Sequence, residues 1–300
     1  MPRTTAVVRM RFASLGFGML GVLLLAVGNG SAARGQCGPG TLMQWNYGSP
    51  VQGGPDLSEP LVTDRPDFTE ASVTVGMGVV QFEGGYTFTY DDSPGGRIHE
   101  HSFPELLMRA GMFADWFELR VGWNYGASAE TVFGAGDESL SGAEDLYLGT
   151  KLALTPQEGV LPETAVIVQM TVPSGSPEFT AHEVLPGVNY LYGWDVNDFF
   201  SVAGSTQANR AIDGNGQDYF VEFAQSLTTG YSLTDKWGAY AEWFMFAPAG
   251  AETARNQQYF NAGLTYLITD NIQWDIRAGV GLNEAADDFF TGSGLSVRLY

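Results

Sequence analysis

Cysteine, lysine, histidine and long apolar runs are what this sequence has little of. Its single cysteine, Cys37, forms no intramolecular disulfide and no thiolate cluster for a metal. With 14 Lys and Arg against 34 Asp and Glu, the formal charge is −20. That balance excludes nucleic acid as a partner and argues against docking on an anionic membrane surface, because both repel it. Beyond the N-terminus no stretch stays apolar for about eighteen residues, which excludes a transmembrane helix there. Charged residues make up only 16% of the chain, whereas aromatics reach 13% and glycines number 39. Gly and aromatics in that proportion suit strands and tight turns better than helices.

The first 33 residues read as an address. Arg3, Arg9 and Arg11 precede an apolar run from Phe12 to Val27, and Gly30-Ser31-Ala32-Ala33 offers small residues for cleavage. Basic, apolar, small is the order of an export signal. A retained anchor helix is the alternative, but about sixteen residues with several glycines is short for a span. Arg34-Gly35-Gln36 before Cys37 lack the apolar and small residues of a lipid-anchor signal. Removing residues 1–33 leaves a charge of −23.

What is present is alternation. From Ile272 to Leu282 apolar residues fall on every second position, with Gln273, Asp275, Arg277, Gly279 and Gly281 between them. Leu295, Val297 and Leu299 repeat the pattern at the chain's end. Period two with one greasy face predicts a strand. The pattern recurs about a dozen times from residue 79 onward: Phe82 and Tyr86 oppose Glu83, Leu119 and Val121 oppose Glu118 and Arg120, Trp243 opposes Glu242, Leu264 opposes Gly263 and Thr265. Around Val188 to Trp194 and from Ser201 to Asn209 the pattern is weakest, and Pro186 breaks the first of these two. A soluble sandwich also alternates, but it keeps few charges mid-strand. The reading adopted is an all-β fold: a closed antiparallel transmembrane β-barrel of about twelve strands in meander order, apolar face to lipid and polar face to a wet lumen.

The connections support closure. Ala114-Asp115, Pro156 to Gly159, Asp195 to Asp198, Thr234-Asp235 and Asp270-Asn271 are short. Between them lie longer links, Asp91 to Arg97, Gly126 to Gly142, Pro173 to Glu183, Ala211 to Gln217 and Pro248 to Asn256. Short periplasmic turns alternating with longer outer loops are how outer-membrane barrels are connected. The organisation expected is a signal peptide at 1–33, a periplasmic segment at 34–77 that can enter the lumen, and the barrel at 78–300.

On this reading the inward charges line the lumen: Glu83, Glu105, Arg109, Glu118, Arg120, Asp145, Lys151, Glu222, Glu242, Asp275 and Arg277. Glu118 with Arg120, and Asp275 with Arg277, stand two apart on one face and are expected to pair. Asp64, Arg65 and Asp67, in a polar stretch with Pro66 that no regular ladder accepts, are candidates for a plug. Acidic residues of the longer links, such as Asp137, Asp213 and Asp288, would gather at the outer mouth, either as solvated loops or as sites for divalent ions bridging lipopolysaccharide.

Two stretches carry a resemblance. Thr63-Asp64-Arg65-Pro66-Asp67-Phe68-Thr69-Glu70 with Gln81-Phe82-Glu83-Gly84-Gly85-Tyr86 resembles the start, and Asp275 to Phe290 the end, of the outer-membrane proteins labelled "putative MetA-pathway of phenol degradation". The resemblance brackets almost all of the chain after the signal. It implies an outer-membrane barrel passing small solutes, aromatic ones among them. The last strand, ending Leu299-Tyr300, also resembles an assembly signal for outer-membrane insertion, although Arg298 departs from the usual apolar finish.

Other chemistry is weakly supported. His99-Glu100-His101 sets two imidazoles on one face of a strand, without a near third ligand, so a loop-to-strand junction is favoured over a metal site. No serine sits in a hydrolase motif. The expectation is therefore no enzyme, no cofactor and no metal. The partners expected are outer-membrane lipid, a small solute and the outer-membrane assembly machinery, with the cell outer membrane as location. The function expected is a channel or transporter with a polar lumen, with a non-conducting barrel serving as receptor or structural protein as the rival.

Overall fold

The computed structural model describes residues 40–45, 55–94, 96–133, 136–214, 216 and 218–300. Residues 1–33, and with them the expected export signal, lie outside the described residues. The described chain is all β. Its strands are β1 (Val80–Ser93), β2 (Gly96–Gly111), β3 (Phe117–Val132), β4 (Gly136–Ala143), β5 (Leu146–Thr155), β6 (Glu163–Val172), β7 (Leu185–Asn197), β8 (Phe200–Ile212), β9 (Tyr219–Ser232), β10 (Trp237–Ala249), β11 (Gln257–Thr269), β12 (Ile272–Gly281) and β13 (Phe289–Leu299).

Every pairing is antiparallel between neighbours in sequence, except two. β1 pairs with β13 from Val80↔Leu299 to Tyr90↔Phe289, which closes the sheet on itself. β3 pairs with β4 through Tyr125 to Val132 and with β5 through Phe117 to Gly122. Strands β4 and β5 therefore share one position in the ring, giving a twelve-strand closed barrel with one extra strand. The break falls at Glu144-Asp145. There Asp145 accepts the amides of Ser174, Gly175 and Ala181 at 2.8–3.0 Å, which folds the β6–β7 link against the gap.

The faces are inverted relative to a soluble protein. Glu83, Arg109, Glu118, Arg120, Lys151 and Asp275 are 0% exposed, while Leu264, Phe260, Leu227 and Val168 are 40, 45, 50 and 58% exposed. An apolar band outside and charge inside is what a membrane barrel requires, since lipid accepts the first and not the second. Closure also pairs both edges of the ring, leaving only the outer edge of the extra strand β4 without a strand partner among the described residues.

Two of the longer links proved to be largely ladder. Asp91, Asp92 and Ser93 pair with Ile98, Arg97 and Gly96, and Gly126 to Val132 pairs with Gly142 to Gly136. Both faces of these extensions mix polar and apolar residues, so the alternation that marks a half-buried strand is absent although the backbone pairs normally. Pro186 is likewise inside β7, opposite Met170. Between Phe103 and Leu106 β2 gains one residue over both neighbours. Such a bulge re-aims a side chain, and here Glu105, with φ of 44°, turns inward.

Candidate functional site

The barrel interior holds the stretch from Leu61 to Val79. It forms no strand. It is held mainly by side chains from nine strands, β1, β2, β3, β5, β6, β7, β9, β10 and β12.

Asp64 is the hub. Its carboxylate meets Lys151 Nζ at 2.9 Å, Arg120 Nη1 at 2.5 Å and Arg109 Nε at 3.3 Å. Arg109 spans Glu118 at 2.9 Å and Glu83 at 3.0 Å, and Arg120 reaches Glu118 at 2.9 Å and also Glu70. Three cations from β2, β3 and β5 thus face Asp64 and Glu70 of the segment and Glu83 and Glu118 of the wall. Removing so many charges from water is costly, and the site offsets the cost by satisfying them twice, with opposite charges and with backbone. The segment's amides of Asp64 and Arg65 donate to Glu83 at 3.0 and 3.1 Å, and that of Val75 to Glu118 at 2.9 Å. In return Arg109 donates to the carbonyls of Val62 and Val73, and Lys151 to that of Ala71. Burial alone would raise the Asp64 pKa. Arg109, Lys151 and Arg120 together outweigh it and hold the carboxyl well below the usual range.

A second cluster lies beside the first. Arg65 bonds Glu105 at 2.7 Å and Asp275 at 3.3 Å, and its guanidinium lies where a Cβ on Gly85 or Gly294 would stand, 2.4 and 2.3 Å away. Those two inward glycines clear the space that the guanidinium fills. The pair expected between Asp275 and Arg277 is replaced: Asp275 takes Arg65, and Arg277 donates to Pro66 O at 2.8 Å and Thr87 Oγ1 at 3.0 Å. A sequence shows that two side chains share a face, but it cannot show a competitor arriving from another part of the chain. Glu118 and Arg120 do pair directly.

The third contact is Glu242. Its carboxylate accepts the amides of Phe68 and Thr69, both at 2.7 Å, together with Thr69 Oγ1 and Asn261 Nδ2. Thr69 Oγ1 also meets Ser226 Oγ at 2.6 Å. Burial first, then the charge of Glu242, pushes the Asp67 carboxyl up. Further along, Ser72 donates to Glu163 and Asn189 to Glu70. Glu222 faces the same interior from β9, and Asp145 is committed to the backbone of the β6–β7 link rather than to the segment.

Sequence reasoning missed Glu70, Asn189 and Glu163 as members, and it missed a group of inward rings. Phe244 and Phe246 on β10, Tyr259 on β11 and Phe290 on β13 cluster with Phe68 of the segment. His101 Nδ1 meets Tyr86 OH at 2.7 Å on the outward face, and His99 packs by Phe88 and Tyr90.

Known structures place the fold. An outer-membrane channel from Pseudomonas putida F1 aligns over 76% of this chain and 98% of its own, at 14% identity and TM-score 0.57. The NanC porin aligns over 73% and 100% at 11% identity and TM-score 0.48, and the transport unit of the autotransporter AIDA-I from Escherichia coli over 74% and 89% at 9% and 0.49. The first of these shows the outer-membrane barrel fold. No curated protein matches the sequence significantly. The family model described as "Putative MetA-pathway of phenol degradation" matches residues 63–299, from the docked segment to the closing strand, and the chain belongs to that family.

Proposed function

We propose that this protein is an outer-membrane channel for small solutes, aromatic ones among them, whose polar lumen is gated by the stretch from Leu61 to Val79. The observation that carries the reading is how that stretch is held. Between Val62 and Met77 it shares no backbone–backbone bond with the wall; Leu61 donates to Asp270 O at one end, and Gly78 and Val79 pair with Gly111 at the other. Between those ends it is held by ion pairs and single hydrogen bonds, those to Glu83, Arg109, Glu118, Arg120, Lys151 and Glu242 among them, which water can replace one by one if this part leaves. An emptied lumen would be lined by those charges together with Glu105, Glu222, Asp275 and Arg277, and they would set selectivity. Family membership supports the outer membrane as location. Cleavage after residue 33, delivery to the assembly machinery through the final strand and the absence of enzymatic activity belong to the same reading.

The segment's filling of the interior also favours the rival, a permanently closed barrel acting as receptor or structural protein. Planar-bilayer recordings separate them. Deleting residues 61–72 should raise conductance sharply over the full chain on the channel reading. Equal, negligible currents from both would favour the closed barrel.

A further inference from the structure

Among the inward side chains, the rings on β10, β11 and β13 form an aromatic cluster. Phe244 stacks on Tyr259 with centroids 4.9 Å apart, Tyr259 meets Phe290 edge-on at 6.0 Å, and Arg277 lies over Phe290 at 5.6 Å. Gly279 on β12 makes the room: a Cβ there would lie 2.2 Å from the Phe290 ring. Into this group the segment inserts a single ring. Phe68 stacks on Phe244 at 4.7 Å with planes 7° apart and meets Phe246 edge-on at 5.4 Å. Asp64 and Glu242 hold the stretch by charge and hydrogen bonds, and Phe68 completes that hold with the stretch's one aromatic side chain, a phenyl ring in a phenyl-shaped slot. Aromatic faces and edges select planar rings over saturated ones, through the quadrupole that a cyclohexyl group lacks.

Resting on the channel reading above, we propose that Phe68 is a built-in surrogate for the solute: a monocyclic aromatic such as a phenol takes the slot between Phe244 and Phe246, displaces the Phe68 ring and so undocks the gate. Arg277 ties the slot to the segment. It touches Phe290 and also donates to Pro66 O, two residues before Phe68. When Pro66 leaves, the guanidinium loses an acceptor that the oxygen of a phenol can replace. Ligand and segment then compete for one site, and the coupling is the difference in affinity between docked and undocked states.

The test uses the full chain in planar bilayers, with phenol as probe and cyclohexanol as its saturated control. Phenol should raise open probability several-fold and cyclohexanol should not. Phe68→Ala should conduct without phenol and gain little from it. A 4-fluorophenylalanine placed at position 68 reads the ring itself. Its fluorine resonance should move from a stacked to a free position as phenol is added, while cyclohexanol leaves it unmoved. Equal responses to both alcohols, a fluorine signal indifferent to phenol, or phenol gating that survives in Phe68→Ala would overturn the proposal. Should the chain lacking 61–72 conduct while phenol does nothing, only the slot fails. Should it stay silent as well, the channel reading fails with it.

Discussion

Arg65 reaches Asp275 at 3.3 Å across 210 residues of sequence, and the same guanidinium reaches Glu105 at 2.7 Å. One cation of the docked segment thus neutralises acids on β2 and β12, with side-chain exposures of 10% and 0%.

Arg65→Met keeps the length of the side chain and removes the charge, leaving two carboxylates without it. Breaking a buried pair from one side costs about 3–5 kcal/mol. The expected outcome is release of the segment, read as a lower urea midpoint. A midpoint within error of wild type would show that the pair is not sustaining the docked state.

The apolar band makes a depth-dependent prediction. Leu264 is paired with Ile276 near the middle of its strand, and both point outward. Leu264→Arg should destabilise the barrel in vesicles by about 2–4 kcal/mol, whereas Leu299→Arg, at the strand end, should cost about 0–1 kcal/mol. Urea titrations of both variants check it. Equal costs would mean that the outward face does not meet a hydrocarbon core.

The part of docking that Asp64 carries should depend on pH in one direction, while Asp67, pushed up in the docked state, acts in the opposite sense. The Asp64 carboxyl is held below its unfolded value by Arg109, Lys151 and Arg120 against the effect of burial. Its contribution is therefore complete above the unfolded carboxylate pKa of about 3.9 and declines as pH falls below it. Single-channel recordings from pH 7 downward should show openings becoming frequent at acid pH. Asp64→Asn should open at neutral pH and lose most of that dependence. An acid-side rise in openings that is undiminished in Asp64→Asn would contradict the assignment.

On the far rim Asp213 ties two loops together. It accepts Thr253 Oγ1 and the amides of Glu252, Thr253 and Ala254. The Thr253 hydroxyl, with the amides of the two loops, keeps this carboxyl well below the usual range despite some desolvation. Asp213→Ala should free the β10–β11 link and speed tryptic cleavage after Arg255. Unchanged digestion kinetics would mean that the loop is held elsewhere.

Much of the barrel was legible because its wall has one lipid face. Period two survives wherever one side is greasy and the other polar, as in Ile272 to Leu282, and it vanished in two different ways. Past the membrane, Ser128 to Val132 and its partners Gly136 to Leu140 mix polar and apolar residues on both faces, so a paired extension read as loop. From Trp243 to Phe246 every residue is apolar, so Trp243 and Met245 were assigned outward by counting on from Glu242, but nothing in that run marked the inward Phe244 and Phe246 as part of a cluster. Partners across the lumen were the least legible. Alternation assigns Asp275 to a face, but Arg65 arrives there through a fold of the whole chain.

The claim on which the account depends is that the segment must leave the lumen for solute to pass. Thr69 Oγ1 and Ser226 Oγ, 2.6 Å apart on short side chains, offer a place to prevent it. In a Cys37→Ser background, Thr69→Cys with Ser226→Cys should form a disulfide, since neighbouring β-carbons are what that bond requires. The account predicts that the oxidised protein stays closed in planar bilayers even at acid pH and that a reductant restores the openings. Undiminished conductance with the disulfide intact would contradict it.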